Sequence, residues 1–275
     1  NAAVARLRFG LVSCSSYPHG FFNAYRFVAR RHDLDAVLCL GDYIYEYAGR
    51  GLGSDPDDYG DGTMIGRAPT PPHEIINLAD YRERHSCYKL DADLQAMHRQ
   101  HPLIAIWDDH EFADNSDPVG ALNHQPVDGV WATRRDAAKQ AYFEWMPIRD
   151  SGSFQIYRNF QFGTLANLIL LDTRMDRPSR EAAGNGAPLA NTGFTTFYYE
   201  NGSAFERNPA PGAERRLISP AQEAWLGTQL ASTVTWKLLA QQIMFGQLKL
   251  VGQPNVADGP PRTGSQYINT DQWDG

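Results

Sequence analysis

The chain has 275 residues, 42% hydrophobic and 21% charged, an ordinary globular mix that excludes a disordered, collagenous or disulfide-stapled polypeptide. Asp+Glu 32 against Lys+Arg 25 gives a formal net charge of −7, which excludes the basic footprint of a non-specific nucleic-acid binder. No apolar run approaches the roughly 18 residues of a membrane-spanning helix, and Cys14, Cys39 and Cys87 lack the CxxC spacing of a zinc ribbon or redox pair. No signal peptide is visible. The opening on Asn1-Ala2-Ala3-Val4 and the close on Trp273-Asp274-Gly275 lead us to expect a stretch of a longer polypeptide.

Taken in order, Leu7 to Cys14 reads as a short apolar strand, and Phe21 to Arg31 as a helix with Phe21, Phe22, Tyr25, Val28 and Ala29 at helical spacing. Ala36 to Leu40 is an unbroken apolar run stopped by Gly41, the pattern of a strand buried on both faces. Residues 49–72 form a loop rich in Gly, Asp and Pro, and Asn77 to Gln100 reads as one or two polar helices. A third apolar run, Leu103 to Trp107, ends at Asp108. Val130 to Trp145 is a helix closed by Pro147, followed by strands over 154–162 and 165–171. Residues 176–216 show little periodicity, and so long an irregular stretch is usually functional or mobile. Ser219-Pro220-Ala221-Gln222 is a helix start, with a hydroxyl cap, Pro in the first turn and Gln three residues on. Trp236 to Phe245 is the last strand-like run. This alternation predicts an α/β fold: a mixed, largely parallel sheet between helices.

Four of the apolar runs end in residues of chemical interest: Ser13-Cys14, Gly41-Asp42-Tyr43-Ile44-Tyr45-Glu46, Asp108-Asp109-His110-Glu111, and Asp172-Thr173-Arg174. Strands that run parallel share one carboxyl edge, where ligands of open α/β sheets bind. A thiol, several carboxylates, a phenol, an imidazole and a guanidinium are therefore expected to converge. Asp and His are ligands for hard and borderline cations. Tyr binds as the phenolate, and its ordinary pKa is about 10, so a strongly polarising cation suits it. Asp42 and Tyr45 are close enough in sequence to face one ion from a single turn. His110 can ligate or donate a proton. Cys14 reads either as a small buried hydrophobe or as a thiolate ligand. Cys39 and Cys87 read as packing residues, Tyr43 and Tyr47 as packing or surface residues, and Trp225 as helix packing. His32, His85, His98 and His101 are expected on solvated faces, and Arg174 beside Asp172. The acidic loop Asp55 to Gly62 fails the EF-hand template, because Tyr59 takes its fifth position and Gly66 its twelfth. Asn201-Gly202-Ser203 matches a glycosylation sequon, and no Walker A, dinucleotide or nucleophile-elbow fingerprint is present.

These strand-end motifs resemble those of the PhoD-like (alkaline phosphatase D) phosphatases. So do Tyr142 to Arg149, Ser219 to Leu226 and the terminal Asp271-Gln272-Trp273-Asp274-Gly275, in the family's order along nearly the whole chain. The resemblance implies a calcineurin-like metallophosphoesterase architecture, mixed β sheets packed with helices, with residues 1–275 as part of one catalytic domain. It implies secreted or periplasmic enzymes that hydrolyse phosphomonoesters, and often phosphodiesters, with Fe3+ and Ca2+. Carried over, Cys14, Asp42, Tyr45 and Asp109 are implied metal ligands and His110 the residue that meets the substrate phosphate or leaving group. Asn115, Asn123 and Arg174 are implied substrate contacts or supports. The resemblance also implies an all-β domain before this stretch and a further ligand-bearing strand after it.

Competing readings are a glycosidase built on Asp108 and Glu111, a catalytically incomplete binding module, and the same metal site acting on phospholipid or teichoic-acid diesters. The first predicts activity indifferent to chelators. The second predicts a folded protein without phosphate-ester hydrolysis.

Overall fold

The computed structural model describes residues 4–49, 62–149, 152–177 and 217–245, with the backbone of short strands at 198–201, 204–206, 249–250 and 266–267. In chain order the elements are β1 (Phe9–Val12), α1 (Asn23–Ala29), β2 (Ala36–Cys39), α2 (Leu78–Tyr88), α3 (Ala92–Gln100), β3 (Leu103–Ala105), α4 (Trp131–Trp145), β4 (Arg158–Phe162) and β5 (Ala166–Leu170). Then come β6 (Tyr198–Asn201), β7 (Ala204–Glu206), α5 (Pro220–Leu230), β8 (Trp236–Ala240), β9 (Lys249–Leu250) and β10 (Gln266–Tyr267).

β2 is the centre of a three-stranded parallel sheet, ordered β1-β2-β3, and all four of its residues are buried. An apolar run without polar alternation folds this way because neither face meets water. The helices begin where side chains can take up their free N–H groups. Asn77 accepts from Ala79 N at 2.9 Å and Asp80 N at 3.1 Å, and Asp80 returns a bond to Asn77 N at 3.3 Å. Asp91 caps α3 in the same manner. Ser219 caps α5 through Gln222 N at 3.1 Å, with Pro220 in the first turn, as the sequence predicts.

One largely parallel sheet is not what forms. β4, β5 and β8 make a second three-stranded sheet, in which β4 pairs antiparallel with β5 and β5 parallel with β8. The cause is the turn at Gly163, whose φ of 56° lets the chain fold straight back from β4 into β5 instead of crossing over. The two sheets share one core. The Phe9 and Phe162 rings meet edge-on at 5.7 Å, and Arg158 Nη2 donates to Ala105 O at 2.6 Å. β6, β7, β9 and β10 form a third, four-stranded sheet in the order β7-β6-β10-β9. The strands stop short of the apolar runs that specify them: Ile106, Trp107 and Leu171 are buried beyond the ends of β3 and β5 and lead into irregular backbone. Most of the acidic loop, most of 176–216 and the sequon's Gly202-Ser203 lie outside the described residues.

The helical histidines depart from expectation. His32 is exposed, but His85 and His101 are buried, and His98 is partly buried with Nε2 2.8 Å from Tyr43 Oη. α2 is covered on its polar side as well: Arg84, buried without a carboxylate partner among the described residues, donates to the carbonyls of Thr70, Tyr45, Tyr47, Pro71 and His73. It thereby clamps the segment after β2 against the 70–73 loop. His85 stacks with the rings of Tyr43 and Trp145, each 6.3 Å away, and neither ring nitrogen has a hydrogen-bond partner among the described residues. Burial pushes its pKa from 6.5 down to about 3. The unfolded chain therefore binds a proton that the folded chain refuses, and stability present above pH 6.5 is lost as the pH falls toward 3. We expect His85→Phe, which keeps the ring stack, to remove this loss. In urea unfolding the variant should gain on the parent steadily as the pH drops through that window, whereas a constant difference would refute the assignment.

Candidate functional site

Because β1, β2 and β3 run parallel, their carboxyl ends open on one edge. The tips of β2 and β3 touch there. Gly41 has φ of 96°, and a Cβ on it would lie 2.4 Å from Asp108 Cβ and 2.6 Å from Asp108 N, so glycine alone permits this approach. Three non-glycine residues around the edge also hold left-handed backbone: Cys14 at φ 54°, Asp42 at 52° and Asn115 at 50°. Strain of this kind gathers where structure is dictated by side-chain placement.

Glu111 fastens the tips together. It is buried, and its carboxylate accepts from Asp42 N at 3.0 Å, Tyr43 N at 2.5 Å and Asp108 N at 2.6 Å. Burial pushes this carboxyl up to about 7 against the pull of its N–H donors. The β5 tip is tied in from the second sheet. Trp107 Nε1 donates to Asp172 Oδ1 at 3.0 Å, and buried Gln222 of α5 clasps the Asp172 backbone, accepting from N at 2.8 Å and donating to O at 2.9 Å.

The ligand atoms of Asp42, Asp109 and His110 lie within 4.8 Å of one another, and all three residues are largely buried. Asp42 Oδ1 is buried without a hydrogen-bond partner among the described residues, while Oδ2 accepts from Tyr45 Oη at 3.4 Å. Burial, then the neighbouring Asp109 and Asp108 charges, push the Asp42 pKa well up. For Asp109 burial pushes the same way, but Arg174, His110 and the Asn115 N–H outweigh it and the net direction is down. His110 is raised well above the usual imidazole value: burial opposes protonation, but Glu46, Asp109 and Asp42 prevail. An unpartnered carboxylate oxygen amid crowded buried acids is what a bound cation would satisfy, and oxygen and imidazole donors suit hard and borderline ions.

Each residue singled out in the sequence has a definite place. Cys14 is exposed, yet its thiol lies against Asp42; burial first, with Asp42 adding to it, pushes it up to about 11. The Tyr45 ring packs 4.4 Å from the His110 ring. Asn115 supports Asp109 through its backbone N–H, 2.7 Å from Oδ2. Asn123 stands one layer back, donating to Glu46 Oε1 at 2.9 Å and Glu74 Oε1 at 3.2 Å. Arg174 does not pair with Asp172 through its side chain. Its guanidinium reaches Asp108 Oδ1 at 2.6 Å and Asp109 Oδ1 at 3.4 Å, and only its backbone N–H meets Asp172, at 3.0 Å. Burial leaves it no solvent, and the β3 tip supplies two carboxylates. The glycosidase pair is already committed, Asp108 to Arg174 and Glu111 to backbone N–H groups. Sequence reasoning gave Glu46 no role, yet this buried carboxylate lies 2.8 Å from His110 Nδ1. Its signal was its place at the end of the Asp42–Tyr45 motif.

The chain belongs to the PhoD-like phosphatase family, whose model matches residues 9–275. It is 35% identical over 280 aligned residues to alkaline phosphatase D of Bacillus subtilis (strain 168), covering 100% of this chain and 42% of that protein. A solved structure of PhoD superposes with a TM-score of 0.74 at 33% identity, over 99% of this chain and 46% of that one. The chain thus spans less than half the length of these relatives.

Replacing Glu111 by Ala should leave three buried N–H groups without acceptors, each worth about 1–3 kcal/mol. We expect Glu111→Ala to lower the urea midpoint sharply and to abolish metal uptake at Asp42 and Asp109. Unchanged uptake in a folded variant would show that the tips hold together without it.

Proposed function

We propose that this site is a metal-dependent phosphoesterase centre that hydrolyses phosphate monoesters, and diesters as well, within a calcineurin-like metallophosphoesterase catalytic domain. The observation that carries the reading is the convergence of Asp42, Asp109 and His110, with one Asp42 oxygen left without a hydrogen-bond partner among the described residues. Family membership and the likeness to an alkaline phosphatase D support it. Asp42, with Asp109, Tyr45 and Cys14, would hold the cations: a ferric ion suits the phenol and thiol, and calcium suits the carboxylates. When bound, such cations supply Lewis-acid charge to the phosphoryl oxygens and lower the pKa of the attacking water.

The chain's own residues do the remainder. Arg174 holds Asp108 and Asp109 in place, so that two adjacent carboxylates can both stay at the pocket wall. Asn115 N–H fixes the outer Asp109 oxygen. His110, flanked by the Tyr45 and Tyr47 rings at 4.4 and 5.3 Å, has its Nδ1 against Glu46 Oε2, which leaves Nε2 for the pocket. There it donates a hydrogen bond to a phosphoryl oxygen, or its proton to the departing alkoxide. Membership of the family supports a secreted or periplasmic setting; no helix among the described residues is long and apolar enough to cross a membrane.

The test is a chromogenic phosphate-ester assay with elemental analysis of the purified protein. We expect chelation to abolish turnover. His110→Ala should lower turnover by about 10²-fold or more, as for loss of a general acid, while metal content stays near the parent's. Equal loss of metal would make His110 a ligand instead. Iron-loaded protein should show a visible tyrosinate–iron absorption band, and a Tyr45→Phe variant that keeps this band would remove Tyr45 from the ligand set. A folded, metal-loaded protein without any phosphate-ester hydrolysis would leave the binding-module reading.

A further inference from the structure

We propose that Glu46 is the positioning residue for His110: it holds the proton on Nδ1 and turns Nε2 into the Asp42–Asp109 pocket. This deepens the phosphoesterase reading and rests on it for the catalytic consequence, though not for the structural one. A carboxylate has no proton to give, so the 2.8 Å contact between Glu46 Oε2 and His110 Nδ1 requires an N–H on that nitrogen. The nitrogen left for the pocket is Nε2. Tyr45 and Tyr47 pack against the imidazole from 4.4 and 5.3 Å, which hinders its rotation away from Glu46.

Glu46 is itself locked. It is buried, and its other oxygen, Oε1, accepts from Asp114 N at 2.5 Å and Asn123 Nδ2 at 2.9 Å. The Asn123 amide cannot flip without losing bonds, because its Oδ1 accepts from Asp114 N at 3.1 Å while Nδ2 also reaches Glu74 Oε1 at 3.2 Å. Glu74 takes Arg134 Nη2 at 2.8 Å, and Arg134 Nε donates to Tyr81 Oη at 3.1 Å. The relay ends on α2 and α4, two packed helices. Outer partners of this kind fix the ring orientation and proton position of a working histidine, and their removal typically costs about 10–100-fold in activity or metal affinity.

The two donors on Oε1 make an isosteric test decisive. In Glu46→Gln the side-chain carbonyl must stay on Asp114 N and Asn123 Nδ2, so the amide NH2 faces His110. Nδ1 then becomes the acceptor, and the proton of the neutral ring moves to Nε2; a ring without a proton on Nδ1 cannot release its Nε2 proton to an alkoxide without becoming an anion, so it no longer serves as the acid. The experiment uses the full chain with 15N-labelled histidine, after chelation, at a pH where the ring is neutral; the His110 signals are those missing from His110→Ala. We expect the parent, and Glu46→Asp, to show a protonated Nδ1 and a bare Nε2, and Glu46→Gln to show the reverse. A bare Nδ1 in the parent overturns the proposal even if the Gln variant does not fold, and so does a folded Gln variant with unchanged ring protonation. In metal-loaded protein we expect Glu46→Gln to lower kcat about 10–100-fold with KM little changed, and to cost nothing further in a His110→Ala background. Additive losses would overturn the positioning role. A His110→Ala variant with full turnover, beside the expected tautomer exchange, would instead refute the catalytic reading of His110 and leave the Glu46 contact standing.

Discussion

The site depends on a single buried carboxylate gathering three backbone N–H groups. Glu111 accepts from Asp42, Tyr43 and Asp108, and so joins the ends of two neighbouring strands beyond the last bond of their ladder, Ile106 N to Cys39 O at 3.0 Å. Asp42 and Asp109 can approach one another only because this joint sets the spacing of the backbones beneath them. Gly41 is the steric half of the same joint, since any side chain on it would strike Asp108. Neither residue is among the three whose ligand atoms converge, yet each sets where those three sit.

The second constraint is charge. Asp42, Asp108, Asp109 and Glu111 are all buried within a few residues of one another in space, and one guanidinium and one imidazole lie among them. Such crowding opposes folding unless protons or cations compensate it. Anything that binds the folded site and not the unfolded chain stabilises the fold by mass action. Stability and occupancy of this pocket are therefore linked, and the same acids that would bind an ion make the empty pocket unfavourable.

Much of this was legible in the sequence, for identifiable reasons. Apolar runs without alternation marked β2, β3 and β5, and the polar residues that ended them marked the edge where Asp42, Asp109 and His110 meet. The cap at Ser219 was readable because its partner, Gln222, is three residues away. What escaped was non-local. The second sheet turns on Gly163, one residue whose left-handed φ reverses the chain. His85 and His101 looked solvated because their helices are polar, but those helices are packed on more than one side, and burial on a second face leaves no periodic trace. Arg174 found Asp108 rather than its sequence neighbour because the two strand tips come from different sheets. Glu46 stood within a recognised motif, but its partners, Asp114 and Asn123, lie 68 and 77 positions away.

The left-handed backbone at Asp42 and Asn115 bears on how such a site can change over generations. Few side chains tolerate that conformation, and aspartate and asparagine are foremost among those that do. At either position, exchanging one for the other keeps the chain's path and alters the local charge by one. The geometry therefore leaves a lineage one inexpensive substitution by which to retune which ions it prefers, while almost every other replacement requires rebuilding the loop.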